Sequence, residues 1–267
     1  MNLLHIAVLA LVQGVTAFLP VAPLAHDALL RAVLGWPALS AQAELGVHVG
    51  LLVAGTVYVY REVGSVLLGF AHLTMGRRTR QSRLAAYLAL ATLPLAAAAV
   101  TVTLLGMNHI ADGPRTIAWM LIGFGILLWL IDRVGMTLRR LDHLSGTSAL
   151  MIGFAQVLAL MPGVGRAGIA VLAGRMLGFE RLDAARFAVL LGLPLLLGLA
   201  GYDVYQMIDG GGEAISADGV VAGALAFAGG LFTINAMMQW LDRATFTPFA
   251  VYRVLLGAAA LAWLYFG

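Results

Sequence analysis

The sequence predicts an all-α, polytopic membrane protein built as an inverted-topology repeat, with about six spanning helices and two opposed re-entrant helical hairpins. Three observations carry this expectation. Of 267 residues, 61% are hydrophobic and only 11% charged, where a soluble domain averages roughly 45–50% apolar and about 25% charged. Mean hydropathy is +0.94. Two long apolar segments are each interrupted by proline. A water-facing surface cannot be built from so few charges, so soluble-enzyme folds are excluded. The isoelectric point of 9.6 does not argue for nucleic acid, because every basic residue is Arg and these residues lie between apolar runs. The absence of Cys excludes a disulfide frame, a thiol nucleophile and a thiolate metal site. Residues 1–25 lack the basic start and small-residue cleavage site of a secretory signal and are read as part of the fold.

A span needs about 20 mostly apolar residues. Leu84–Gly106 and Gly219–Leu241 meet this with no charge at all. Thr116–Ile131 and Phe187–Tyr202 extend plausibly at their ends, and Phe246–Phe266 contains only Arg253. Glu44–Tyr60 makes a sixth span, carrying an acid and His48. Leu3–Trp36 is broken at Pro20 and Pro23, and Leu150–Gly178 at Pro162-Gly163. Irregular backbone at membrane depth survives only when buried in protein or lining a wet cavity, so both segments are read as re-entrant.

Charge sets the orientation. Arg61, Arg77, Arg78, Arg80 and Arg83 share one loop with Glu62; Arg133, Arg139 and Arg140 lie in a second loop, and Arg175, Arg181 and Arg186 in a third. The segment from Asp209 to Asp218 is acidic. The positive-inside rule puts the Arg-rich loops in the cytoplasm, so the first broken segment enters from outside and the second from inside. The broken segments also match each other: Gln13 precedes Pro20, and Gln156 precedes Pro162. Paired broken segments in corresponding halves point to a repeat with a midplane site, with the first repeat at about 1–133 and the second at about 148–267 of a single membrane domain.

Ionisable groups within membrane segments are functional candidates by default. Arg166 follows Pro162-Gly163-Val164-Gly165, where a guanidinium and backbone N–H groups of Gly163 and Gly165 would cradle a phosphate or diphosphate. His26 follows the first break and can serve as general acid, general base or nucleophile. Asp27 beside it adds one carboxylate, too little for a metal site. His48 reads as a helix-packing partner. Asp203 would either hold an Arg or reach the membrane surface. Asn235 and Gln239, four apart, are expected to form hydrogen bonds between helices.

Read in order, these residues resemble the undecaprenyl-pyrophosphate phosphatase family of the bacitracin-resistance type. The family's first motif is approximately E-G-x-T-E-F-L-P-V-S-S-T-G-H, where residues 13–26 read QGVTAFLPVAPLAH. Its second is approximately P-G-x-S-R-S-G, where residues 162–168 read PGVGRAG. The stretches at 187–206 and 246–260 also look like family sequence. The resemblance implies a bacterial inner-membrane protein that removes a phosphate from a C55 polyprenyl diphosphate on the outer side, with dependence on a divalent cation. Gly14, Thr16, Phe18, Leu19, Pro20, His26, Pro162, Gly163, Arg166 and Gly168 keep the family's residues.

The departures fall at the chemistry. Gln13 and Ala17 replace the paired Glu, Ala22 and Pro23 the paired Ser, and Ala25 the Gly before the His. Gly165 and Ala167 replace the Ser residues beside Arg166. Two carboxylates four residues apart could hold a divalent cation, and that pair is gone. The expectation is therefore a catalytically degenerate member with no metal or other cofactor. It would bind, and translocate, a polyprenyl phosphate or another anionic isoprenoid or phospholipid, using Arg166, His26, Gly163, Gly165, Gln13 and Thr16. An active diphosphatase working through His26 is the alternative, and a structural subunit of a membrane complex, or a homo-oligomer, the second.

Overall fold

A computed structural model describes residues 2–106, 113–135, 137–209 and 216–266. Among these residues the chain is helical: α1 (Leu3–Thr16), α2 (Pro23–Leu34), α3 (Ala41–Tyr58), α4 (Tyr60–Thr74), α5 (Arg80–Leu104), α6 (Pro114–Val134), α7 (Gly146–Gln156), α8 (Arg166–Met176), α9 (Arg181–Asp209), α10 (Ala217–Leu241) and α11 (Thr247–Phe266). Most helix starts are written locally. Asn2, Ser40, Ser145 and Ser216 each accept a first-turn N–H with the side chain, and Thr79 and Ser82 form a reciprocal capping box.

Five helices are long and apolar enough to cross a bilayer: α5, α6, α9, α10 and α11. A sixth candidate is the pair α3 and α4 taken together, bent by 93° between them. The basic loop expected between Arg61 and Arg83 is thus mostly helix. Its apolar residues recur at helical spacing: Val66 and Gly69 pack on α5, while Leu67, Leu68, Phe70 and Leu73 stay exposed. That is the pattern of a helix lying in the membrane surface. The bundle exposes apolar side chains such as Leu93, Leu197, Phe232 and Leu255; lipid is their solvent. Residues 210–215 of the expected acidic loop lie outside the described residues.

Both broken segments form hairpins. Residues 17–22 turn the chain between α1 and α2, and His5 at the start of α1 stacks on Trp36 just past α2, ring centroids 4.2 Å apart. This hairpin therefore opens at the end of the bundle where α3 begins. The second runs from α7 through a 3-10 turn (Val157–Leu160) to α8. It opens at the opposite end, where Arg175 of α8 meets Asp132 of α6.

That basic end is knotted by charge rather than left as loops. Asp132 accepts from Arg175 Nε at 3.2 Å, Arg181 Nε at 2.8 Å and the Phe246 N–H at 3.0 Å. Arg175 also donates to the carbonyls of Gly135 and Phe179. One buried carboxylate thus joins α6, α8, α9 and the start of α11, and Arg175 and Arg181 are structural rather than loop charges. Asn235 and Gln239 are exposed on α10 rather than joined to another helix. Helix contact depends instead on small residues: Gly46 and Gly50 of α3 face Gly219 and Gly223 of α10 so closely that a Cβ on Gly50 would sit 2.2 Å from the Gly223 carbonyl oxygen.

Candidate functional site

The two hairpins meet tip to tip. Ala22 is the N-cap of α2 and Gly165 the N-cap of α8. A Cβ built on Gly165 would lie 2.6 Å from Ala22 Cα. Both residues have positive φ, 63° at Ala22 and 78° at Gly165, and neither helix has a side-chain cap. Two half-helix N-termini, with their unpaired N–H groups and positive dipole ends, therefore converge deep in the bundle. That is an anion-binding arrangement. Pro23 occupies the first turn of α2, where a missing N–H is harmless.

Arg253 of α11 locks this junction. Its Nη1 donates to the carbonyls of Pro20 (3.2 Å) and Val164 (2.9 Å), and its Nη2 to that of Gly163 (2.6 Å). It is 1% exposed, and one guanidinium thus holds both breaks. Sequence reasoning registered Arg253 only as the one charge of a span. A lone Arg near the end of a span looks like one that reaches the membrane surface, and nothing local distinguishes the two.

His26 stands one turn into α2. Its Nδ1 lies 2.9 Å from the Ala22 carbonyl and its Nε2 2.8 Å from the Tyr252 hydroxyl, and the two rings stack. A carbonyl can only accept, so the proton belongs on Nδ1 and the Nε2 lone pair accepts from Tyr252. Arg166, the first residue of α8, is partly buried and donates through Nη1 to the Gly192 carbonyl at 2.7 Å, leaving other N–H groups for a ligand. Ala22 connects the two residues: its carbonyl orients His26, and its backbone packs on Gly165, next to Arg166.

The remaining candidates are placed less centrally. Gln13 donates to Asp27 at 3.4 Å, and Asp27 also accepts from Arg31 Nε at 2.8 Å. Thr16 is buried, with its hydroxyl on the Val12 carbonyl at 2.6 Å. The Gly163 carbonyl is taken by Arg253. His48, read as a helix-packing partner, and Asp203, expected to hold an Arg or reach the membrane surface, pair with each other at 2.6 Å across 155 residues of sequence.

The divalent cation implied by the resemblance does not fit these side chains as a protein-held ion. Among the described residues no three His, Asp or Glu side chains converge to hold one, and Gln13 and Ala17 stand at the motif's carboxylate positions.

Comparison with known proteins covers the whole chain. The family model described as "Bacitracin resistance protein BacA" matches residues 6–259. "Undecaprenyl-diphosphatase 1" of Rhodospirillum rubrum is 40% identical, over all of this chain and 97% of its own length. "Undecaprenyl-diphosphatase" of Roseobacter denitrificans is 36% identical over 99% of this chain and all of its own, and that of Teredinibacter turnerae 36% over 96% and 97%. The expectation of a catalytically degenerate lipid binder is corrected by these relatives, which carry the diphosphatase name at this identity from end to end. Its error lay in treating two motifs as the whole site, when α11, outside both, brings Tyr252 against His26 and Arg253 onto both breaks. With both hairpins in place and the match running from residue 6 to 259, the chain belongs to the BacA family of bacitracin-resistance proteins.

Proposed function

We propose that this protein is an active polyprenyl-diphosphate phosphatase of the bacterial inner membrane, releasing phosphate from an undecaprenyl-type diphosphate. The observation that carries the reading is the contact between the two N-caps, Ala22 and Gly165. It brings together the starts of α2 and α8, the helices that carry His26 and Arg166. The family names of the relatives support the substrate. By the positive-inside rule the Arg-rich end faces the cytoplasm, so the first hairpin and His26 are reached from the outside. The two hairpins then belong to inverted repeats of about 1–133 and 148–267.

In this reading Arg166 and the free N–H groups opening α8 hold the diphosphate and take up the charge that develops on it. The substrate displaces the Tyr252 hydroxyl from His26 Nε2. That nitrogen then accepts a proton from a water as the water oxygen attacks the terminal phosphorus. The bond from this phosphorus to the bridging oxygen breaks, and the leaving oxygen stays with the polyprenyl monophosphate. Nδ1 remains protonated on the Ala22 carbonyl throughout, which keeps the ring in the working tautomer.

The test is phosphate release from C55 diphosphate by purified protein, beside the Rhodospirillum rubrum relative. Turnover within about tenfold of that relative, a barrier difference of about 1.4 kcal/mol, is expected. No release where the relative turns over would overturn the reading. Replacing Arg166 by Ala should lower kcat/KM by about 10²–10³, and by Lys less, since an ammonium lacks the bidentate fork. His26→Ala should lower kcat about 10²-fold or more.

A further inference from the structure

At the opposite end from the His26 opening lies a cavity of about 530 Å³ that the phosphatase reading does not use. It is enclosed by the start of α4, the first turns of α5 and α9, and the segment between α6 and α7. Five guanidinium groups line it, those of Arg61, Arg80, Arg83, Arg140 and Arg186. Only three carboxylates do, Glu62, Asp142 and Asp183. Orientation in a membrane requires basic loops, but it does not require them to surround a common space.

The carboxylates are largely committed. Asp142 pairs with Arg80, and Asp183 accepts the Leu141 N–H at 2.8 Å. Arg140 pairs with Glu180 at 3.1 Å. Arg83 and Arg186 have no hydrogen-bond or carboxylate partner among the described residues, and both are exposed. The N-termini of α5 and α9 add their positive dipole ends to the same space. The cavity is therefore a positive pocket with free planar donors. Leu84, Tyr87 and Leu144 complete its wall. α4, which contributes Ser65, also carries the exposed apolar residues of a surface-lying helix. Basic pockets between helices on the cytoplasmic side are a recurring design for phosphate-bearing lipid headgroups.

We propose that this cavity binds a phosphate monoester, either as the headgroup of an anionic lipid or as free phosphate, through Arg83 and Arg186. A phosphate dianion matches two guanidinium forks, and a zwitterionic phosphodiester does not supply the charge.

The experiment measures binding to detergent-solubilised full-length protein, comparing wild type with the double variant Arg83→Gln/Arg186→Gln. The probes are dioctanoyl phosphatidic acid, dioctanoyl phosphatidylcholine and sodium phosphate. Phosphatidic acid should bind wild type, bind the double variant at least about tenfold more weakly (about 1.4 kcal/mol), and weaken with added salt. The difference between the two proteins isolates the cavity from the outward site. Sodium phosphate affected in parallel identifies free phosphate as sufficient; an effect confined to phosphatidic acid identifies the lipid. Either result supports the proposal. Equal affinity of wild type and double variant for both anionic probes overturns it, as does equally tight binding of phosphatidylcholine. If the double variant fails to fold, Ser65→Trp, which fills the cavity and leaves every Arg in place, should weaken the same probes, and unchanged binding there overturns the proposal.

Discussion

Arg253 shows how much one side chain can decide. Its three hydrogen bonds all end on backbone carbonyls of the two breaks. These oxygens lie where water does not replace a lost donor, and leaving one unsatisfied costs about 1–3 kcal/mol. Arg253→Ala should lower stability by about 3 kcal/mol or more and depress kcat beyond what the remaining folded fraction explains. Arg253→Lys should recover stability in part, because an ammonium reaches fewer of the three carbonyls. Thermal unfolding in detergent, read with phosphate release per folded molecule, checks both. Equal stability of Arg253→Ala and wild type would remove Arg253 from the account. Gly165 is the second decisive residue. The family motif has Ser here, yet φ of 78° and the Ala22 backbone 2.6 Å from a Cβ exclude any side chain in this geometry. Its loss of Ser therefore goes together with Ala22-Pro23, which replace the other paired Ser and shape the opposite face of the same contact. Gly165→Ala should cost about 1–3 kcal/mol from overpacking, plus about 1–2 kcal/mol for the left-handed backbone. In a double-mutant cycle with Ala22→Gly the two should couple rather than add; additive unfolding energies would show that the caps do not touch.

At the scale of elements, much was legible. Pro20, Pro23 and Pro162-Gly163 announced both hairpins, since proline in an apolar run leaves the chain few alternatives. The spans followed from length and hydropathy, and His26 and Arg166 from their positions beside the breaks. What stayed hidden was pairing at a distance. His48 and Asp203 are 155 residues apart, and neither carries a local mark of the other. Asp132 goes unremarked in the sequence, because its partners come from α8, α9 and the residue before α11. The helical character of α4 was masked by its flanking Arg residues. The seam between α3 and α10 belongs to this scale too. Gly46, Gly50, Gly219 and Gly223 bring the two backbones together, so the contact has no side chains to adjust. Gly50→Ala should destabilise by about 1–3 kcal/mol through overpacking, and Gly50→Leu should separate the helices and abolish accumulation of folded protein. Unfolding temperature and expression level measure the two effects.

Across the whole molecule, one end is fastened by buried charge. The end bearing Asp132 is held by a buried ion network, with Arg175 at 0% and Asp132 at 2% exposure. Removing one member of a buried pair strands the other and costs about 3–5 kcal/mol. Asp132→Asn, which keeps the shape and an acceptor for the Phe246 N–H, should therefore destabilise by about that amount, with little change in KM. Unfolding and steady-state kinetics on the same preparation would show it; a raised KM with normal stability would contradict the purely structural role.

The stacking of His26 on Tyr252, and the grip of Arg253 on residues 20, 163 and 164, have a consequence for biogenesis. Groups of the first and second hairpins depend on partners from α11, far along the chain. During synthesis both hairpins must enter the membrane and wait, their carbonyls unclaimed, until α11 leaves the ribosome and inserts. A nascent chain that stalls before residue 252 holds every residue of both motifs and still lacks a finished reaction centre. On the proposed function, insertion of α11 is thus itself the licence for hydrolysis, and chains cut short before it should be silent and quickly degraded.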